Sequence, residues 1–287
     1  MVIVEGLDML EEVAPFARLL DRDLLHAATG MSRNEMRYLV HAYYRIQKHR
    51  IALGNACAAH ERAGEPAQFA RWLAEKLQAL EKALRRIMGT WAEEYEAGRW
   101  ALAQYGVGPV IAAGLLAHLD PERCRTAGSV WRFAGLDPTV EWKPGERRPY
   151  NAALKVLAFK AGDSFVKFHK RPDCFYGQLY ARRKALEVAR NESGYYAETA
   201  RKILAERQIR DPELRATLEA GRLAPGHIEM RARRWTVKLF LAHFATVYYE
   251  TETGQPAPQP YPVAHLGHAE YIAPPGYTPL ALRDGRA

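Results

Sequence analysis

Phe69, Leu73, Leu77, Leu80, Leu84, Ile87 and Trp91 recur at steps of mostly three and four. That period gathers them on one side of a helix, an arrangement no strand can produce. A stripe of this length has to be covered, and the nearest cover is the segment before it. There Ser32, with Glu35 three residues on, forms a capping-box start. A long helix follows to about Ala63, and Gly64-Glu65-Pro66 ends it. The expectation for residues 1–97 is therefore a long antiparallel helical hairpin with coiled-coil character, serving as an association domain. An amphipathic pattern through Leu10, Val13, Phe16, Leu19 and Leu20 precedes it.

The rest of the chain is also helical in pattern, which makes the expected fold class all-α. Residues 98–170 read as a helix-hairpin-helix-containing domain, with helices expected over Cys124 to Phe133 and Asn151 to Ala161. Residues 171–252 read as a helical extension with segments Tyr176 to Arg190, Tyr195 to Arg207 and His227 to Glu250. Asp211-Pro212 marks a helix start, since proline suits the first helical position. From 253 to 287 the prolines Pro256, Pro258, Pro260, Pro262, Pro274, Pro275 and Pro279 preclude a continuous helix and predict a proline-rich, extended tail.

Charge is unevenly placed. The first hundred residues hold 14 acidic and 14 basic groups, whereas residues 140–190 hold 12 Lys and Arg against 5 Asp and Glu. Most of the net charge of +8 thus sits in one stretch, where clustered positive potential favours a polyanion. Cys57, Cys124 and Cys174 lie far apart and have no metal-ligand spacing, so neither a disulfide framework nor a metal or other cofactor is expected. No apolar run reaches the roughly 20 residues needed to span a bilayer, and the start at Met1 has no secretion signal. The expectation is a cytoplasmic chain with no membrane partner.

The basic stretch follows a turn that suits phosphate. Gly106-Val107-Gly108 separates two apolar helical segments, with Val107 as an anchor between them and Pro109 at the first position of the second helix. Backbone N–H groups at such a helix start hold phosphate oxygens with little dependence on base identity. Lys143, Arg147 and Arg148 flank a glycine-containing loop, and Lys155 follows on the next helix. These seven residues, Gly106, Val107, Gly108, Lys143, Arg147, Arg148 and Lys155, are the expected DNA-binding set.

An ordered series of motifs over residues 102–162 resembles the C-terminal domain of bacterial insertion-sequence transposases whose recombinase is guided by a bridging RNA. The series is Gly106 to Pro109, Ala112-Ala113, Leu119-Asp120, Ala134-Gly135-Leu136-Asp137-Pro138 and Arg147-Arg148. Met230 to Arg234, leading into Leu239 to His243, is similar to the end of such proteins. The resemblance implies nucleic-acid binding. Two departures argue against the family's recombinase chemistry. The first hundred residues are not an alternating strand-helix nuclease domain, and no serine occurs between Ser129 and Ser164, where the family places its catalytic one.

The expected function is non-catalytic, largely sequence-independent binding of duplex or branched DNA, with RNA open as a ligand and self-association through the N-terminal helices. Two alternatives stand beside it. One is a strand-transfer enzyme using a metal held by carboxylates such as Asp120, Asp137 and Glu146, or Tyr150 as a covalent nucleophile. The other is a structural or protein-interaction protein derived from a transposase domain.

Overall fold

A short helix α1 (Arg22–Ala27) leads to Ser32, whose Oγ accepts the Glu35 N–H at 3.2 Å while Glu35 Oε2 accepts the Ser32 N–H at 2.9 Å. This reciprocal cap opens α2 (Arg33–Arg62), and α3 (Gln68–Glu93) follows a turn through Gly64. The computed structural model describes residues 22–143, 145–258 and 271–283. The amphipathic pattern expected through Leu10 to Leu20, together with Pro260 and Pro262 of the tail, lies outside them. Among the described residues every regular element is helical. The helices continue as α4 (Glu96–Ala103), α5 (Pro109–His118), α6 (Ala127–Phe133), α7 (Ala152–Lys167), α8 (Phe175–Glu192), α9 (Ala197–Glu206), α10 (Pro212–Glu219), α11 (Pro225–Thr253) and α12 (Leu280–Arg283).

Contacts divide the chain into two units. One contains the described residues through Arg99 with Gly108–His118, and the other contains Trp100–Val107 with the described residues from Leu119 onward. In the first unit, Glu61 pairs with Arg71, Arg50 with Glu81 at 2.5 Å, and Met31 O with Trp91 Nε1 at 2.9 Å. Partner numbers rise on one side as they fall on the other, so α2 and α3 run antiparallel. Only the later half of the stripe is covered: Leu84, Ile87 and Trp91 are buried, whereas Phe69 is 86% and Leu73 41% exposed. Over its last turns, from Ile51 to Arg62, α2 buries only Cys57. The last helix of this unit, α5, is apolar all round and buried from Ala112 to His118. Its close fit shows at Gly98, where a Cβ would lie 1.9 Å from Ala92 O and 2.9 Å from Leu116 Cδ1.

The second unit is organised around α11, against which α6, α7 and α8 pack. Phe165, Tyr176 and Phe240 form its aromatic centre, with ring centroids 4.9 to 5.3 Å apart. At Gly162 a Cβ would meet Val237 Cγ2 at 2.8 Å and Arg233 Cγ at 2.9 Å, so α7 crosses α11 with no room for a side chain. Two buried polar groups on α11 tie in the C-terminal segment. His243 Nε2 donates to Ile272 O and its Nδ1 accepts from the Tyr176 hydroxyl, both at 2.8 Å. Glu250 accepts the N–H groups of Ala257 and Leu280 and the Tyr277 hydroxyl, each at 2.9 Å. The described part of the tail is thus moored to α11, and ends in the short α12.

Candidate nucleic-acid interface

The basic loop owes its form to polar side chains that serve its own backbone. Asp137 Oδ1 accepts the Thr139 N–H at 2.9 Å and hydroxyl at 2.7 Å, and these bonds hold its carboxyl below the usual range. Trp142 Nε1 donates to Glu146 O at 2.9 Å, the Lys143 N–H to Glu146 Oε2 at 3.1 Å, and the Glu146 N–H to Lys143 O at 3.2 Å. Gly145 completes this tight turn at φ +93°. The Glu146 carboxylate is thereby engaged by the backbone, leaving the neighbouring cations without it.

Lys143, Arg147, Arg148 and Lys155 are all exposed, and none forms an ion pair among the described residues. Two of them lie over aromatic rings: the Arg148 guanidinium 5.7 Å from the Trp142 centroid and Lys155 Nζ 4.3 Å from that of Tyr150. Tyr150 is fixed in turn by Gly135, at φ +65°, where a Cβ would come within 2.8 Å of the ring. The Asn151 N–H donates to Phe133 O at 2.8 Å, and the Asn151 side chain caps α7 by accepting the Leu154 N–H at 3.0 Å. The result is a set of long cationic donors standing off a braced loop, an arrangement suited to phosphate oxygens.

The glycine turn is more enclosed. Gly106 adopts φ +93°, its carbonyl accepts the Ser164 hydroxyl at 2.6 Å, and a Cβ there would meet that hydroxyl at 3.1 Å. Val107 is buried, at 6% exposure. Gly108 immediately precedes α5, its carbonyl accepting the N–H groups of Ile111 and Ala112 at 3.0 and 3.1 Å. Gly106 and Val107 belong to the second unit with Lys143, Arg147, Arg148 and Lys155, and Gly108 belongs to the first.

The carboxylates considered for a metal have separate occupations. Asp120 pairs with Arg123 at 3.2 Å, while Asp137 and Glu146 serve backbone groups as described. Among the described residues no cluster of three or more His, Cys, Asp or Glu could hold a metal ion, nor is any helix long and apolar enough to cross a membrane.

Sequence reasoning passed over a second group of cations, on α8 and α11. Its signal was the spacing of Arg231, Arg234 and Lys238, three and four residues apart on one helix, obscured by Arg233, which points elsewhere and pairs with Asp163 at 2.6 Å. In comparisons with known protein families, curated proteins and solved structures, nothing matches this chain.

Proposed function

We propose that this protein binds DNA through the phosphate backbone, with little regard to sequence, and has no strand-cutting chemistry of its own. The observation that carries the reading is the set Lys143, Arg147, Arg148 and Lys155: four exposed cations around one braced loop, with the adjacent Glu146 carboxylate turned to the backbone. Backbone contact of this kind is electrostatic and falls steeply with salt. The resemblance of residues 102–162 to a transposase domain belongs to the same proposal, and so does the absence of cutting, since no serine stands in the loop.

The test is fluorescence anisotropy of labelled 30-base-pair duplexes of several sequences, with a four-way junction beside them. We expect binding at micromolar protein in about 50 mM salt, weakening by orders of magnitude by 200 mM. The exchange R147E/R148E should weaken all sequences alike and lower the salt slope by about 2. Absence of binding at low salt, or a loss confined to one sequence, would overturn the reading. Self-association is part of the proposal, supported by the uncovered Phe69, Trp72 and Leu73; a monomer by sedimentation at micromolar concentration would remove it.

A further inference from the structure

On α11, His227, Arg231, Arg234 and Lys238 advance by steps of four, three and four, with Trp235 four residues after Arg231, which puts them along one side of the helix. Neighbouring elements add to that side. Arg183 of α8 lies over the Trp235 ring at 5.3 Å, and Lys238 lies over the Trp131 ring of α6 at 4.3 Å. Beneath the arginines is Glu187, wholly buried. It faces Arg183 at 2.5 Å, Arg231 at 3.0 Å and Arg190 at 4.0 Å, and accepts the Tyr196 hydroxyl.

Three guanidinium groups around one carboxylate leave two positive charges uncompensated. Burial raises the Glu187 carboxyl, but its bonds from Tyr196 and Arg231 and the charge of Arg183 outweigh this and hold it below the usual range. The surrounding potential shows elsewhere too. Burial, then the charges of Arg231, Arg234 and Arg207, depress His227; Lys238 is depressed by burial, with Asp137 opposing and Arg234 assisting. Six cations, Arg183, Arg190, Arg207, Arg231, Arg234 and Lys238, thus share this region with the carboxylates Glu187 and Asp137, while Glu229 of α11 pairs with two further cations, Lys184 and Arg233. Such a surplus calls for an anion that comes in a row. From His227 to Lys238 the helix rises about 16 Å, the axial span of about five phosphates on one strand of a duplex.

We propose that this face of α8 and α11 is a second DNA-binding surface, which grips the phosphodiester backbone with arginines held in place by buried Glu187. The proposal rests on the DNA-binding reading above and adds a site independent of the loop.

The experiment compares the wild type, the loop variant R147E/R148E and the helix-face variant R190E/R234E on a fluorescein-labelled 30-base-pair duplex, from 50 to 200 mM salt. Circular dichroism and thermal midpoint establish that each variant is folded, and the neutral exchange R190Q/R234Q replaces R190E/R234E if that variant is not. We expect the helix-face variant to bind at least tenfold more weakly at 50 mM, with a salt slope lower by about 2. If it binds like the wild type while the loop variant is weakened, the inference falls and DNA binding stands. If it is weakened while the loop variant is not, the helix face is supported and the loop assignment falls. If the wild type does not bind, both fall together.

Discussion

The loop around Lys143 and the face formed by α8 and α11 both gather positive charge, but they hold it by opposite means. In the loop it is the backbone that is braced: Glu146 bonds to the main chain, and Arg147 and Arg148 extend from it without a carboxylate partner among the described residues. On the helices the side chains themselves are anchored, with Glu187 beneath Arg183 and Arg231. The first arrangement places charge without committing it to the fold. In the second, surface charge and stability depend on the same residue.

The sharpest break in this comparison is Glu187→Ala. Removing a buried carboxylate leaves its arginines uncompensated, at a cost of about 3 to 5 kcal/mol. Urea or thermal unfolding should register this, whereas R147E/R148E should stay within about 0.5 kcal/mol of the wild type. Equal effects from the two changes would erase the distinction.

Acid should act on the helical core before it acts on the loop. Burial holds His243 down to about 4, against 6.5 for a free imidazole. Its unfolded form therefore takes up a proton below about pH 6.5 while the folded form resists, so the stability it contributes is present above that pH and is lost as pH falls toward 4. At 1.36 kcal/mol per pH unit the loss reaches about 3 kcal/mol by pH 4. Thermal midpoints of the wild type should fall across this window, and those of His243→Gln should fall less. Parallel curves would show that another group governs the acid response.

A smaller effect sharpens the loop side. Gly135 is at φ +65° with the Tyr150 ring where its Cβ would be, so Gly135→Ala should cost about 1 to 3 kcal/mol. Because Tyr150 supports Lys155, the same change should weaken DNA binding modestly, and a stable variant with unchanged affinity would detach this brace from the interface.

The helical class was legible because it depends on periods and caps that lie within a few residues of one another: Ser32 with Glu35, Asp211 with Pro212, and the apolar steps of α3 all have their expected local form. Ends were less legible. The helix expected over Asn151 to Ala161 continues to Lys167, because Gly162, Phe165 and their neighbours pack on α11 and tertiary burial extends the helix. The expected Cys124 to Phe133 helix is divided instead, since Thr126 is extended and caps a new start by accepting the Ser129 N–H at 3.2 Å. The exposure of Phe69 could not be read from α3 alone, as it depends on what α2 offers opposite. Charge counting found the loop because its cations are close in sequence. It missed the face of α8 and α11 because Arg183 and Arg231 meet only through a carboxylate 44 residues from one of them.

The crossing at Gly162 bears on how binding free energy is divided. With α7 seated against Val237 and Arg233, α11 cannot bend to meet a ligand without losing that contact. The cations along it therefore have a fixed spacing, and Arg183 and Arg231 have already lost much of their rotational freedom in folding. Ordering a free arginine on association costs about 0.5 to 1.5 kcal/mol, an expense largely met before any strand arrives. The adjustment then falls on the nucleic acid: a form whose phosphates already match the helix gains the full benefit, and one that must be bent or stretched into register gives part of it back.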